Sequence, residues 1–173
     1  MTKEAEQHDR QRKTTKAKHA RWTLVFDTET DVTTGQTLRF GTYQLRDGDE
    51  LFDSGIFYSP TSITADELEC LGRYAKAHNL TLFTRDEFAD KVFYQQAYKW
   101  RARIVGFNLP FDISRIGISH GLARGKMRGG FTFEISPHKY HPKLRVKHLS
   151  RRAAFTKFTA PWQSLDNRSD RKN

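Results

Sequence analysis

The chain has 173 residues and a mass of 20.2 kDa, a size that suits one domain. Thirty Lys and Arg against twenty Asp and Glu give a formal net charge of +10, which favours a polyanionic partner such as nucleic acid. A single cysteine, Cys70, excludes an internal disulfide framework and a four-cysteine zinc site. No apolar run reaches the ~18 residues of a membrane span, and the polar N-terminus lacks the apolar core of a secretory signal. We therefore expect an intracellular protein, cytoplasmic or nucleoid-associated, with no membrane partner.

Composition divides the chain into three regions. Residues 1–21 carry seven Lys or Arg and no large apolar residue after Met1, which predicts a basic disordered tail. Residues 22–160 contain the apolar segments of one folded domain. Residues 161–173 are polar and predict a second tail.

The predicted domain begins with three strands. WTLVFDTET, from Trp22, is a short apolar run that ends in acids, as is typical of a buried strand. Leu38–Leu45 and Glu50–Tyr58 form the next two strands, joined by a tight turn at Asp47-Gly48-Asp49. Because the connections are short, we expect an antiparallel meander.

Two helices are predicted next. Ser62 or Thr64 can cap a helix over TADELECLGRYAKAHN, and Leu80–Phe83 predicts a short strand. Thr84 and Glu87 have the spacing of a capping box for a helix over RDEFADKVFYQQAYKW.

The last part of the domain alternates again. ARIVGFN predicts a short buried strand, and Pro110 is suited to the first residue of a helix over PFDISRIG. Glycines between Gly117 and Gly130 predict an irregular basic segment, and FTFEI and LRVKHL…AAFTKF predict a final pair of strands. The expected fold class is mixed α/β, with one mixed central sheet flanked by helices.

Asp27 and Glu29 stand two positions apart at the end of the first strand. Because side chains alternate along a strand, both point to the same face, where two like charges repel. A hard divalent cation takes carboxylate ligands and would relieve this repulsion. The alternative is an acidic exit from the strand, with Asp31 continuing into solvent.

A second candidate segment is GFNLPFD at residues 106–112, which begins at the end of the predicted strand ARIVGFN and ends in an acid, Asp112. We expect Asp112 in the first turn of the next helix, where an acid also favours the helix dipole. Asn108 is either a turn residue or part of a site. Either segment alone is weak support for a functional site.

Together, the two segments resemble the DEDD superfamily of 3′–5′ exonucleases, which includes DnaQ-like nucleases and the proofreading domains of DNA polymerases. VFDTET is similar to the first motif of that family, and GFNLPFD to the second motif in its polymerase-associated form. The resemblance covers about residues 22–117. It implies a ribonuclease H-like fold and metal-dependent hydrolysis of DNA or RNA from the 3′ end of a single strand.

The resemblance also implies roles for residues. Asp27 and Glu29 would bind two ions, Mg²⁺ or Mn²⁺, and Asp112 would help to hold one of them, so these three are the expected catalytic residues. Two ions ~3.5–4 Å apart activate the attacking water and stabilise the leaving oxygen. The motif residues expected at the substrate are Thr28, Asn108 and Phe111. Packing is the simpler role for Phe111.

A third motif of the family, an Asp preceded by Tyr or His four or five residues earlier, has no match after the second. Tyr43 and Asp47 have such a spacing but lie between the first two motifs. Asp166 and Asp170 follow Glu134 without the expected partner, and Asp166 is the first candidate for a replacement ligand. We therefore expect a C-terminally incomplete exonuclease, a degenerate relative that binds without cutting, or a site completed by a polymerase or a second copy.

A basic stretch lies near the end of the domain. Lys139–Lys157 contains seven Lys or Arg, no acid and interleaved aromatic residues. This composition suits a groove that follows phosphates and stacks bases; one solvated strand face is the alternative. The candidate substrate-binding residues are Arg145, Lys147, Arg151 and Arg152, and Arg124, Lys126 and Arg128 would extend the groove. His138-x-x-His141 resembles a zinc pair, but without further ligands a polar loop is the better interpretation.

Three hypotheses of function follow. The first is a metal-dependent 3′–5′ exonuclease, or a piece of one. The second is a non-catalytic nucleic-acid-binding module on the same fold. The third is a basic structural protein of a nucleoprotein particle, in which the acids are ordinary surface groups.

Overall fold

The computed structural model describes residues 20–150 and 153–159. A five-stranded mixed sheet contains β1 (Trp22–Thr30), β2 (Leu38–Asp47), β3 (Glu50–Tyr58), β4 (Thr81–Thr84) and β5 (Arg103–Val105). A four-stranded antiparallel sheet contains β6 (Ser119–Leu122), β7 (Phe131–Glu134), β8 (Leu144–Ser150) and β9 (Ala153–Phe158). The helices are α1 (Ala65–Ala77), α2 (Arg85–Glu87), which continues as a π-helix (Phe88–Lys99), and α3 (Leu109–Ile116). The mixed α/β class is confirmed.

The predicted meander forms the middle of the first sheet. β1 pairs antiparallel with β2, and β2 pairs antiparallel with β3. Gly48, in the turn between β2 and β3, has a φ of 60°, a conformation that glycine adopts without strain. Arg21 donates from Nε to Asp47 Oδ1 at 2.8 Å, which ties the start of β1 to the end of β2.

Two parallel pairs complete the first sheet, in the order β4-β3-β2-β1-β5. β5 pairs with β1, and β4 with β3. The prediction of a buried strand at β5 was wrong, because β5 is an edge strand with Arg103 and Val105 exposed. Its position beside β1 nevertheless brings the following helix, α3, to the end of β1.

The capping box predicted at Thr84 and Glu87 is present, and the cap predicted at Ser62 or Thr64 is Thr64, which also forms a capping box. Thr64 caps α1 and accepts from the Glu67 backbone N–H, and Thr84 caps α2 with Glu87 in the same arrangement. The helix predicted beyond Glu87 is present, but it is a π-helix: Trp100 N donates to Gln95 O, a π-type i→i+5 bond. Apolar side chains spaced by four and five positions fit that wider turn, and they are buried against the sheet.

The prediction of one central sheet was also wrong. The segment expected to be irregular contains β6 and a 3₁₀ turn (Gly125–Met127), and the expected last pair of strands joins a separate sheet in the order β6-β7-β8-β9. β6 is short, and all of its residues are exposed, so apolar and polar residues do not alternate along it. Its strand conformation depends on pairing with β7. One apolar core joins both sheets, since Phe26 of β1, Phe93 of the π-helix and Leu144 of β8 belong to the same buried cluster.

Several predicted features lie outside the described residues. These are the two tails apart from residues 20 and 21, together with Arg151, Arg152 and Asp166. Within residues 20–150 and 153–159, no helix is long and apolar enough to cross a membrane.

Candidate functional site

Asp27 and Glu29 lie at the carboxyl-terminal end of β1, exposed on one face of the first sheet. Thr28, between them, is buried on the opposite face. The register places Asp27 opposite Thr42 and Glu29 opposite Phe40 on β2. The two carboxylates are therefore neighbours on the open face, with β2 beside them.

An open cavity of about 320 Å³ lies over this face. Its lining residues are Asp27, Glu29, Thr30, Arg39, Phe40 and Thr42. The positively charged side chain of Arg39 thus lines the same cavity as the two carboxylates. Its guanidinium forms an ion pair with Glu67 of α1 while its buried Nε has no hydrogen-bond partner among the described residues. Sequence reasoning missed Arg39, although the register of the predicted meander would have placed it near Glu29.

Asp112 lies in the first turn of α3, where it is 1% exposed. Its backbone N–H donates to Asn108 O at 3.0 Å, closing the first turn. The Thr28 hydroxyl donates to Asp112 Oδ1 at 2.7 Å. Oδ2 is buried and has no hydrogen-bond partner in the described part of the chain. Asp112 is thus fixed to the inner side of the strand whose outer side carries Asp27 and Glu29.

Burial raises the pKa of Asp112 above that of an ordinary Asp. The hydrogen bond from Thr28 lowers this pKa in part, and the negative charge of Asp27 raises it further. Asp27 and Asp112 therefore interact electrostatically although they lie on different sides of β1. A cation near either carboxylate would lower the pKa of Asp112.

The three carboxylates do not form one compact metal-binding group in this structure. In the described ranges, no three His, Cys, Asp or Glu side chains are close enough together to hold one ion. The donors that do share a face and a cavity are Asp27 and Glu29. One or two carboxylates, with substrate phosphates and water, are the usual protein ligands of Mg²⁺, so this pair fits such a cation.

Asn108 and the loop before α3 line a second cavity of about 310 Å³. The other lining residues include Phe107, which is fully exposed, and His148 and Thr156 from the second sheet. Asn108 is exposed and its side chain makes no capping hydrogen bond. The segment GFNLPFD therefore faces the β8–β9 hairpin, a neighbourhood that local sequence patterns did not indicate.

Phe111 is half-buried beneath Arg115, whose guanidinium carbon lies 4.7 Å from the ring centroid. Arg115 also donates to the backbone oxygens of Gly35 and Gln36, at 2.9 and 2.6 Å. These contacts tie α3 to the loop after β1 and are consistent with a packing role for Phe111.

Arg145 and Lys147 alternate with the buried Leu144 and Val146 on β8, so both project from the outer face of the second sheet. The Nε of Arg145 is buried without a hydrogen-bond partner among the described residues. Two of the four basic residues predicted at the substrate thus share one face, and the other two lie outside the described ranges.

His138 and His141 have ring centroids 4.8 Å apart in the loop before β8. His141 stacks on Tyr94 of the π-helix at 4.1 Å, and its Nδ1 lies 3.3 Å from Asp90 Oδ1. The Tyr94 hydroxyl donates to Pro142 O at 2.9 Å. These contacts fasten the loop to the π-helix, which favours a structural role for the histidine pair.

Comparisons with models of known protein families, with curated proteins and with solved structures gave no match.

Proposed function

We propose that this chain is a metal-dependent 3′–5′ exonuclease, or a piece of one, that hydrolyses phosphodiester bonds in DNA or RNA. The observation that carries the proposal is the pair Asp27 and Glu29, side by side on an open cavity at the end of β1. Uncompensated like charges in this position cost stability, and a divalent cation with a substrate phosphate would neutralise them. Asp27 and Glu29 are accordingly the ligands of Mg²⁺ or Mn²⁺ in the proposal.

Asp112 is the third carboxylate of the proposed site. Its Oδ2 has no hydrogen-bond partner among the described residues. Burial first, and then the charge of Asp27, raise the pKa of Asp112. Thr28 holds the other oxygen in place. The proposed contribution of Thr28 is therefore to position Asp112, while Asp112 adds negative charge behind the cation-binding pair.

A bound divalent cation would lower the pKa of a water molecule and neutralise charge that develops on the phosphoryl oxygens. The protein's own cation at the cavity is Arg39, whose buried Nε has no partner among the described residues. A guanidinium matches the geometry of a phosphate group. We assign Arg39 the role of orienting the phosphate next to Asp27 and Glu29.

The arrangement of elements supports a ribonuclease H-like core as part of the proposal. A three-strand meander begins the sheet, a parallel strand, β5, lies beside β1, and the helix after β5 brings its acid to β1. Arg145 and Lys147 on β8 and the loop at Asn108 are proposed to contact the strand. A polymerase or a second copy of this chain remains the proposed source of any further ligand.

A non-catalytic nucleic-acid-binding module is the second candidate. It is favoured by one observation, the lack of a compact group of three metal-binding side chains in the described ranges. This candidate predicts strand binding without turnover, and without a requirement for Asp27.

Metal binding tests the proposal without depending on catalysis. The melting temperature of the full chain is measured with EDTA and with rising Mg²⁺ or Mn²⁺. Binding to the folded state alone stabilises by about 2.7 kcal/mol at a hundred times Kd, and this gain should vanish in Asp27→Asn. Asp49→Asn, in the turn between β2 and β3, is the matched control and should keep the gain. An equal response to metal in wild type and Asp27→Asn would overturn the assigned ligands.

A further inference from the structure

The two sheets differ strongly in charge. Residues 20–118, which contain the first sheet, have eleven Lys or Arg and fourteen Asp or Glu. Residues 119–150 and 153–159, which contain the second sheet, have eight Lys or Arg and one acid, Glu134. Lys143 Nζ lies 2.6 Å from Glu134 Oε2 and neutralises that acid. The net positive charge of the described residues is therefore concentrated in the region that contains the second sheet.

Three cations of this region lie in the loop that connects β6 and β7. Arg124, Lys126 and Arg128 are all exposed. Their side chains make no ion pair or hydrogen bond with any residue in the described part of the chain. By contrast, Arg39, Arg85 and Arg115 of the first-sheet region are engaged with carboxylates or backbone carbonyls.

The loop has a defined shape. Ala123 N donates to Gly130 O at 2.9 Å, and the 3₁₀ turn is closed by Arg128 N and Gly125 O at 3.0 Å. A Cβ on Gly130 would lie 2.3 Å from Val146 O and 2.8 Å from the Cβ of Lys147, so glycine is required for this close approach. The three cations are thus held on a preorganised turn whose base lies against β8 beside Lys147.

Aromatic rings lie on the two strands that this loop connects. Phe131 is 44% exposed, and its ring centroid lies 6.1 Å from that of the exposed His120. Phe133 continues the row inward, 6.2 Å from Phe131. Unpaired cations next to an accessible aromatic ring are the combination that binds the phosphates and stacks the bases of a single strand.

We infer that the β6–β7 hairpin is a binding element for single-stranded nucleic acid. Arg124, Lys126 and Arg128 contact phosphates, and Phe131 stacks a base. The inference rests on the proposed nucleic-acid substrate but not on catalysis, and it places part of the strand away from the cavity at Asp27. The row of rings favours nucleic acid over an anionic lipid surface, to which basic residues would also bind.

Binding of the full chain to a fluorescently labelled oligothymidylate of twenty nucleotides is measured by fluorescence anisotropy, in EDTA and over a range of salt concentrations. The variant Arg124→Gln/Lys126→Gln/Arg128→Gln should bind at least about tenfold more weakly at low salt. Each phosphate contact on a single strand contributes about 0.7 to the slope of log K against log salt, so the slope should become shallower by about 2. Phe131→Ala should weaken binding by about fivefold or more, the lower range for loss of one stacked base.

A charge-matched control is Arg73→Gln/Lys76→Gln/Lys99→Gln, which removes three exposed cations from the first-sheet region. It should retain the wild-type slope. Equal weakening in both triple variants would overturn the inference, because general charge would then explain binding. Binding to vesicles that contain phosphatidylserine is measured with the same variants. If Arg124→Gln/Lys126→Gln/Arg128→Gln lost binding to these vesicles but kept wild-type binding to the oligonucleotide, the result would overturn the inference in favour of a lipid surface.

The inference and the proposed function fail separately. The binding measurement is made in EDTA, so it tests the hairpin without the proposed metal site, and cleavage of the strand is measured separately in the presence of metal. A hairpin variant with wild-type affinity would contradict the inference while leaving the carboxylate site untested by that result.

Discussion

The Thr28 hydroxyl donates to Oδ1 of Asp112 at 2.7 Å, and this bond joins positions 84 residues apart. Both side chains are buried. The bond fastens the first turn of α3 to the last part of β1, so it fixes Asp112 relative to Asp27 and Glu29. Stability and site geometry depend on the same contact.

Thr28→Val removes the donor and keeps the shape of the side chain. Because hydrogen bonds to charged groups contribute about 1.5–3 kcal/mol, we expect the free energy of unfolding to fall by about that amount. Urea denaturation measures it. Thr42→Val, exposed on the cavity side of β2, is the control and should stay within about 0.5 kcal/mol of wild type. Equal losses in the two variants would argue against a special role for the Thr28–Asp112 bond.

Asp112→Asn should change how stability depends on pH. The pKa of Asp112 is raised in the folded state, mainly by burial, so the folded protein binds this proton more tightly than the unfolded chain does. This tighter proton binding stabilises the folded state fully at pH values below the ordinary pKa of Asp. The stabilisation is lost as the pH rises through the raised pKa of Asp112. Melting temperatures should therefore show the variant gaining on wild type as pH rises from about 4. A difference that is constant with pH would contradict the raised pKa.

Gly106→Ala should disturb the same acid. A Cβ there would lie 3.1 Å from Asp112 Oδ2 and 3.1 Å from Phe26 O. Overpacking of this kind costs about 1–3 kcal/mol, which chemical denaturation can measure. The control is Gly72→Ala in α1, where a Cβ meets nothing within 4 Å, and which should gain up to about 1 kcal/mol through helix propensity. Stabilisation by both substitutions would show that the space beside Asp112 is not tight.

His141→Phe tests the attachment of the loop before β8. Burial lowers the pKa of His141, while Asp90 raises it and His138 and Lys99 lower it. The neutral form is therefore favoured on folding, and stability should fall as pH drops from about 6.5 through the lowered pKa. Phe keeps a ring on Tyr94 but cannot titrate, so the variant should lose less stability between about pH 6.5 and 5. Parallel melting curves for variant and wild type in this range would contradict this account.

Local sequence signals predicted the local structure well. The apolar run WTLVFDTET and the turn at Gly48 were sufficient for the meander. The capping box at Thr84 was predicted, and Thr64 is one of the two caps predicted for α1. The strand period also predicts the shared face of Asp27 and Glu29. These features depend on neighbours within a few positions in the chain.

Features that depend on distant partners were not predictable in this way. β6 becomes a strand only through pairing with β7, and the separation into two sheets follows from pairings over long distances. The contact of Thr28 with Asp112 needs β5 to lie beside β1. The π-helix was missed because apolar residues four and five positions apart also satisfy an α-helical pattern.

The most direct test of the proposed function follows a single strand labelled at its 5′ end, as DNA and as RNA, with Mg²⁺, Mn²⁺ or EDTA. Wild type and Asp49→Asn should shorten the strand stepwise from the 3′ end in the presence of metal only. Asp27→Asn should reduce the rate at least about a hundredfold, since loss of a group that stabilises the transition state by about 2.7 kcal/mol has that effect. An intact strand with both metals, or shortening that Asp27→Asn leaves unchanged, would contradict a nuclease site at Asp27 and Glu29.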